Sequence, residues 1–139
     1  MQIKFTIPGE PFGKQRPRFN TRTGRAYTPS ETKQYETAVK YEYLQKYGDF
    51  RYAEGVPLEI IIKAYLGIPN SDSKKKQGLK EEGKIKATKK PDWDNIGKIT
   101  ADALNKVAYE DDKDIILALV TKEYSREPRV EVTIREYQE

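Results

Sequence analysis

Four segments have the hydrophobic patterning of β-strands. The first and the last alternate between apolar and polar residues, so each predicts a strand with one buried face. The second is rich in β-branched and aromatic residues and predicts a central strand, whereas the third is continuously apolar, which is typical of a strand buried on both faces. In chain order the predicted strands are residues 2–7, 58–66, 115–120 and 130–134.

Two further segments have helical periodicity. The first predicted helix runs from Thr28 to about Tyr47, because Pro29 favours a helix start and Gly48 favours a helix end. One face of this helix carries aromatic and apolar residues at i,i+4 spacing, which we interpret as a core or subunit contact rather than a ligand site. That stripe consists of Tyr35, Val39, Tyr43 and Tyr47.

The second predicted helix, from about Asp94 to Val107, is amphipathic. At roughly 100° per residue, its polar side chains fall within an arc of about 100°. They are Asp94, Asn95, Lys98, Asp102 and Asn105. The element order is therefore β-α-β-α-β-β, and its simplest packing is an α+β fold in which two helices cover a four-stranded mixed sheet, as one domain over residues 1–139.

Two basic segments connect these elements, one between the first strand and the first helix and one between the second strand and the second helix. Residues 14–25 carry five cations and no acid, and residues 67–91 are rich in lysine with few large apolar residues, which predicts a mobile basic loop. Each segment is either a solvated loop without specific contacts or a segment that binds the DNA phosphate backbone. The candidate DNA contacts are Lys14, Arg16, Arg18, Arg22, Arg25, Lys74, Lys75, Lys76, Lys89 and Lys90.

Composition narrows the chemistry. The chain has no cysteine, which excludes disulfides and thiolate-metal sites. It also has no histidine, so acid–base work and metal binding must fall to carboxylates, lysine, tyrosine or water. Oxygen ligands favour Mg²⁺ or Mn²⁺ over zinc. No apolar run approaches membrane-spanning length and nothing indicates a signal peptide, so we expect a cytoplasmic protein. The net charge of +4 is mild, and only its distribution points toward nucleic acid.

The acidic pair Asp92-x-Asp94 has two ordinary explanations. An aspartate at a helix start is often only a cap, and Asp94, Lys98 and Asp102 have the spacing of an i,i+4 charge ladder. A calcium loop is a third alternative, but it fails because Ile96 and Ala103 occupy two of its ligand positions.

A longer array contains this pair and is more specific. It reads Asp92-x-Asp94-Asn95-x-x-Lys98-x-x-x-Asp102-Ala103-Leu104, followed by Asp111-Asp112 before an apolar strand. This array resembles the signature of the RusA family of Holliday junction resolvases. The opening of the chain is also similar to phage-type members, through residues 7–11 and 14–19.

The resemblance implies a small, dimeric, magnesium-dependent endonuclease that nicks two opposing strands of a four-way DNA junction. It implies that Asp92, Asp94 and Asp112 bind the metal, with Asp111 as a rival to Asp112, and that Lys98 is also catalytic. For Asn95 we expect a role in the turn, and for Asp102 contact with Lys98. Cleavage of other branched or single-stranded DNA, and junction binding without cleavage, are the alternatives.

One geometric difficulty follows from these assignments. A helix over residues 94–107 has ends some 18–20 Å apart, and Asp112 follows the far end. Asp112 therefore reaches Asp92 and Asp94 only if the helix is short, if the loop doubles back, or if the other subunit supplies it.

Overall fold

The structure, a computed structural model that describes all 139 residues, contains one four-stranded sheet and three α-helices. The sheet order is β1-β6-β4-β5, in which β4 and β5 are parallel and the other pairs are antiparallel. The mixed α+β fold is therefore confirmed. The elements are β1 (Ile3–Pro8), β2 (Arg18–Asn20), β3 (Arg25–Tyr27), α1 (Ser30–Tyr47), β4 (Leu58–Gly67), α2 (Lys74–Glu81), α3 (Trp93–Ala103), β5 (Ile115–Ser125) and β6 (Arg129–Glu136).

The core lies between one face of the sheet and the helices α1 and α3. Alternate β4 residues such as Ile60 and Ile62 are buried there, as the period of two along a strand requires. Val39 and Tyr43 of the α1 stripe are fully buried, and Tyr35 and Tyr47 pack against the same core. The interpretation of this stripe as a core contact is confirmed, and β4 is the central strand that its composition predicted.

The prediction for the third strand is wrong in one respect. Strand β5 is longer than predicted and lies at the edge of the sheet, where it pairs only with β4. Ile116, Leu117 and Leu119 are 58%, 47% and 53% exposed, so the strand is not buried on both faces within one chain. A continuous apolar run indicates that the side chains of a strand are buried against other protein atoms. It does not indicate whether those atoms belong to the same chain.

The basic segments are also more ordered in secondary structure than the sequence indicated. Residues 67–91, expected to be a loop, contain α2, whose start is capped because the Ser73 hydroxyl accepts a hydrogen bond from the Lys76 amide at 3.2 Å. Lys80 on this helix is buried, and its ammonium lies 2.6 Å from the carboxylate of Asp72. Residues 18–27, which include most of the first basic segment, form the β2–β3 hairpin, and the six residues of its two strands are all exposed.

Candidate active site

The acidic pair lies at the start of α3, one residue earlier than expected. The helix begins at Trp93, with Asp92 in the N-cap position, but the Asp92 side chain makes no capping hydrogen bond. Both carboxylates are exposed, and neither Asp92 nor Asp94 forms an ion pair. Neither a side-chain cap nor a charge ladder therefore explains the presence of these two aspartates. Both carboxylates are unengaged, that is, free of capping hydrogen bonds and ion pairs, and they lie close to the positive end of the helix dipole.

Of the expected charge ladder Asp94–Lys98–Asp102, the pair between Lys98 and Asp102 does form. The Asp102 carboxylate lies 3.8 Å from the Lys98 ammonium and 3.4 Å from the Lys14 ammonium, which is also bonded to Glu36 at 2.9 Å. The expected contact between Asp102 and Lys98 is present in the structure. Glu36 was not singled out from the sequence, because 22 residues separate it from Lys14 and no local pattern links them.

A tight turn after α3 brings the second acidic pair back toward the helix. Lys106 has φ 63°, its amide donates to the Tyr109 carbonyl at 2.7 Å, and the buried Tyr109 hydroxyl donates to the Ala101 carbonyl at 2.8 Å. The Asp112 amide then donates to the Asn105 side-chain oxygen at 2.9 Å. The chain therefore doubles back at the end of a helix that is shorter than predicted.

This turn places Asp112 beside two other carboxylates. Burial raises the pKa of Asp112, and the neighbouring carboxylates of Asp111 and Asp102 raise it further. Negative charges crowded in this way are stabilised by a cation, and the donors are all hard oxygen atoms. The chemistry of these donors is therefore that of a ligand set for a hard divalent ion such as Mg²⁺.

The structure does not gather the predicted ligands in one place. No group of three or more carboxylates within the chain is close enough to hold one ion. Asp102 lies beside Asp112 at the end of α3, whereas Asp94 lies eight residues earlier, about 12 Å away along the helix axis. Asp112 thus joins Asp102 rather than Asp92 and Asp94.

The first basic segment is docked on the start of α3. The Lys14 amide donates to the Asn95 carbonyl at 2.9 Å, so the backbone of Asn95 holds this segment. A Cβ atom at Gly13 would lie 2.9 Å from Pro91 Cβ and 3.1 Å from Asn95 Cβ, so the close approach requires glycine. A cleft of about 330 Å³ opens there between residues 11–15 and 90–95.

The candidate DNA contacts are distributed over three places. Lys14 is held in ion pairs, whereas Arg16, Arg18, Arg22 and Arg25 are exposed on or beside the β2–β3 hairpin. A second exposed group, Lys74, Lys75 and Lys76, forms the first turn of α2. Lys89 and Lys90 are exposed just before Asp92. All of these cations precede the acidic pair in sequence, and most of them lie on or beside two separate exposed elements, the β2–β3 hairpin and α2.

Comparisons with known proteins identify the family of this chain. The model of the family described as "Endodeoxyribonuclease RusA" matches residues 8–135, which include both acidic pairs and both basic segments. The chain belongs to the RusA endodeoxyribonuclease family. It is also similar to the uncharacterized protein YqaN of Bacillus subtilis (strain 168), with 38% identity over 141 positions that cover 96% of each chain.

Membership in the RusA family establishes the general class of activity. The family consists of endonucleases that act on branched DNA in recombination. None of the helices in this RusA-family chain combines the length and the apolar character needed to cross a membrane.

Proposed function

We propose that this RusA-family chain is a cytoplasmic, Mg²⁺-dependent endodeoxyribonuclease that acts as a homodimer. Its substrate is the four-way DNA junction, which it resolves by paired nicks, and residues 1–139 act as one catalytic domain. The observation that carries the proposal is the pair of unengaged carboxylates, Asp92 and Asp94, at the start of a helix flanked by exposed cations. Because neither carboxylate makes a capping hydrogen bond or an ion pair, both are available to bind a metal ion.

Asp92, Asp94 and Asp112 would hold the ion, with Asp112 supplied by the other subunit of the homodimer, because within one chain it lies beside Asp102 instead. A bound Mg²⁺, for which Mn²⁺ can substitute, supplies an activated water and neutralises charge on the phosphate. Between the two rivals, the structure favours Asp112, because the Asp111 carboxylate already accepts the Lys113 amide at 2.8 Å and so stabilises the turn.

Lys98 is proposed to contact the scissile phosphate. Its side chain is 63% exposed, and its one ion pair, with Asp102, is long at 3.8 Å. An ammonium held this loosely remains free to bind a phosphate oxygen and to stabilise the charge that develops on it. Asp102 would orient Lys98, while Asn95 anchors the basic segment.

Cleavage of a synthetic four-way junction tests the proposal. The pure protein is incubated with an end-labelled junction, a linear duplex and a single strand of the same sequence, each with and without Mg²⁺. We expect symmetric nicks in the junction only when Mg²⁺ is present. Equal cleavage of the other substrates would indicate a less selective nuclease, and binding without cleavage under all conditions would identify a binding protein and refute the proposal.

The β2–β3 hairpin is expected to control affinity rather than chemistry. Replacing Arg16 and Arg18 by alanine should weaken binding to every junction and lower the slope of log affinity against log salt by up to about 2, because each lost phosphate contact releases one counterion fewer. Binding is measured without metal over a range of salt. The matched control replaces Lys40 and Lys63, two exposed lysines on other elements, and should keep the wild-type slope. An unchanged slope in the arginine variant would show that the hairpin does not touch phosphates.

A further inference from the structure

One carboxylate oxygen of Asp102 is shared by two lysines. The Asp102 Oδ2 atom lies 3.4 Å from Lys14 Nζ and 3.8 Å from Lys98 Nζ. The two lysines come from distant parts of the chain, because Lys98 precedes Asp102 by about one turn of α3, whereas Lys14 belongs to the first basic segment. Lys98 and Asp102 both have roles in the proposed cleavage reaction, but the second ammonium has none.

The Lys14 side chain is fixed in place. Its ammonium lies 2.9 Å from the Glu36 carboxylate on α1, and these two side chains are only 17% and 18% exposed. Its backbone is also held, because the Lys14 amide donates to the Asn95 carbonyl at 2.9 Å. Burial alone would lower the pKa of Lys14, but Glu36 and Asp102 outweigh this effect and raise the pKa. Lys14 is therefore a permanent positive charge beside Asp102.

The Lys98 side chain is held much more loosely. It is 63% exposed, and its one ion pair is the contact with Asp102. Within a helix, a lysine placed four residues before an acid is the weaker of the two orders of an i,i+4 ion pair. A phosphate oxygen can therefore compete with Asp102 for the Lys98 ammonium, whereas Glu36 and Asp102 together retain Lys14.

Transfer of Lys98 to a phosphate changes the charge balance around Asp102. The Asp102 side chain is 25% exposed, and a partly buried carboxylate that loses its counter-ion is destabilised. With Lys14 in place, Asp102 keeps one ammonium after Lys98 has left. Without Lys14, Lys98 would be the only cation paired with Asp102, and its transfer would leave the carboxylate unpaired.

We propose that Lys14 is a positioning residue that acts through Asp102, where it neutralises the carboxylate and thereby frees Lys98 to bind the scissile phosphate. Glu36 supports this role, because a second carboxylate keeps the Lys14 ammonium from following Lys98 to the DNA. Lys14 itself then makes no phosphate contact, although it belongs to a basic segment. This inference rests on the proposed function, since it concerns the phosphate contact of Lys98.

Metal-free junction binding tests this exchange without requiring cleavage. Lys14→Met keeps an unbranched side chain and removes its charge, so Asp102 should retain Lys98 and one phosphate contact should be lost. We expect the slope of log affinity against log salt to fall by about 1. In the double variant Lys14→Met/Asp102→Asn, no carboxylate retains Lys98, and the slope should return to the wild-type value. A slope that stays low in the double variant would show that Lys14 itself contacts phosphate, and would overturn the proposal.

Cleavage in the presence of Mg²⁺ should show the same reversal. Lys14→Met should lower kcat about 10-fold, which is within the range of couplings between residues of one ion-pair network, with a smaller change in KM. The double variant should cut faster than Lys14→Met, at the rate of Asp102→Asn alone. Wild-type cleavage by Lys14→Met, or a double variant that cuts no faster than Lys14→Met, would overturn the proposal.

The matched control for the loss of a partly buried ion pair is Arg135→Met. Arg135 pairs at 2.9 Å with the buried carboxylate of Glu59 on the sheet, so this variant should lose stability but keep the wild-type slope and kcat. A loss of kcat in Arg135→Met as large as in Lys14→Met would mean that destabilisation alone explains the effect, and would overturn the proposal.

A further variant keeps the test open if Lys14→Met does not fold. Lys14→Gln also lacks the charge, but its amide can still donate to Glu36, and the same slope and kcat are expected of it. Urea denaturation of each variant establishes that the folded protein is measured. A wild type that never cuts junctions would refute the proposed function, whereas the salt slopes would still decide whether Lys14 controls Lys98.

Discussion

Replacing Asp94 by asparagine is expected to lower Mg²⁺-dependent junction cleavage at least about 100-fold. Loss of a residue that only supports a metal ligand costs about 10–100-fold, and Asp94 is proposed to be a ligand itself. Its carboxylate has no ion pair to lose, so folding should lose only the interaction of one charge with the helix dipole, about 0.3–1 kcal/mol. Junction binding without metal should hold or improve, because one charge that repels phosphate is removed.

Cleavage and metal-free affinity should be measured side by side for a set of variants. Asp92→Asn and Asp112→Asn should behave like Asp94→Asn. Asp49→Asn, an exposed aspartate elsewhere, is the matched control and should cut at the wild-type rate. Wild-type cleavage by Asp94→Asn over a range of Mg²⁺ concentrations would show that the acidic pair is not the metal site.

Two further residues of α3 extend the same comparison. Lys98→Ala should lose cleavage while it retains metal binding, because its proposed partner is the phosphate. Asp102→Asn should lose less than the three ligand variants. Its carboxylate nevertheless contacts Lys98 and Lys14, so we expect a measurable reduction rather than none.

Replacing Tyr109 by alanine is expected to have the largest effect on stability. The side chain is fully buried in the turn that returns Asp112 to α3, and removal of a buried aromatic side chain costs about 3–5 kcal/mol. Tyr109→Phe keeps the ring and loses only the hydrogen bond to the Ala101 carbonyl, about 1 kcal/mol.

Urea denaturation of both variants measures these free energies of unfolding. Tyr41→Ala is the matched control, because Tyr41 is 57% exposed on α1 and should lose little stability. Equal losses for Tyr109→Ala and Tyr41→Ala would mean that the turn after α3 is not packed as described. At low denaturant, Tyr109→Phe should still cleave junctions, since the backbone that carries Asp112 is retained.

The sequence by itself determined the elements that depend on local pattern. Alternation placed β1 and β6, and a richness in β-branched and aromatic residues placed β4. A proline and a glycine bounded α1 to within two residues, and the spacing from Asp92 to Leu104 indicated the family. Each of these signals is carried by neighbouring residues, because side-chain period, capping and motif spacing are properties of a short segment of chain. The helix in residues 67–91 was missed because its stability depends partly on buried Lys80 and its ion pair with Asp72.

Only the tertiary structure decided which distant residues meet. The ion pairs that hold Lys14 and the return of Asp112 to Asp102 join residues far apart in sequence, and no local pattern encodes such contacts. The apolar run of β5 indicated burial, but the position of that strand in the sheet left it exposed. The physical reason is that removing an apolar side chain from water is favourable whichever protein atoms it packs against. Only the tertiary packing determines whether those atoms belong to the same chain.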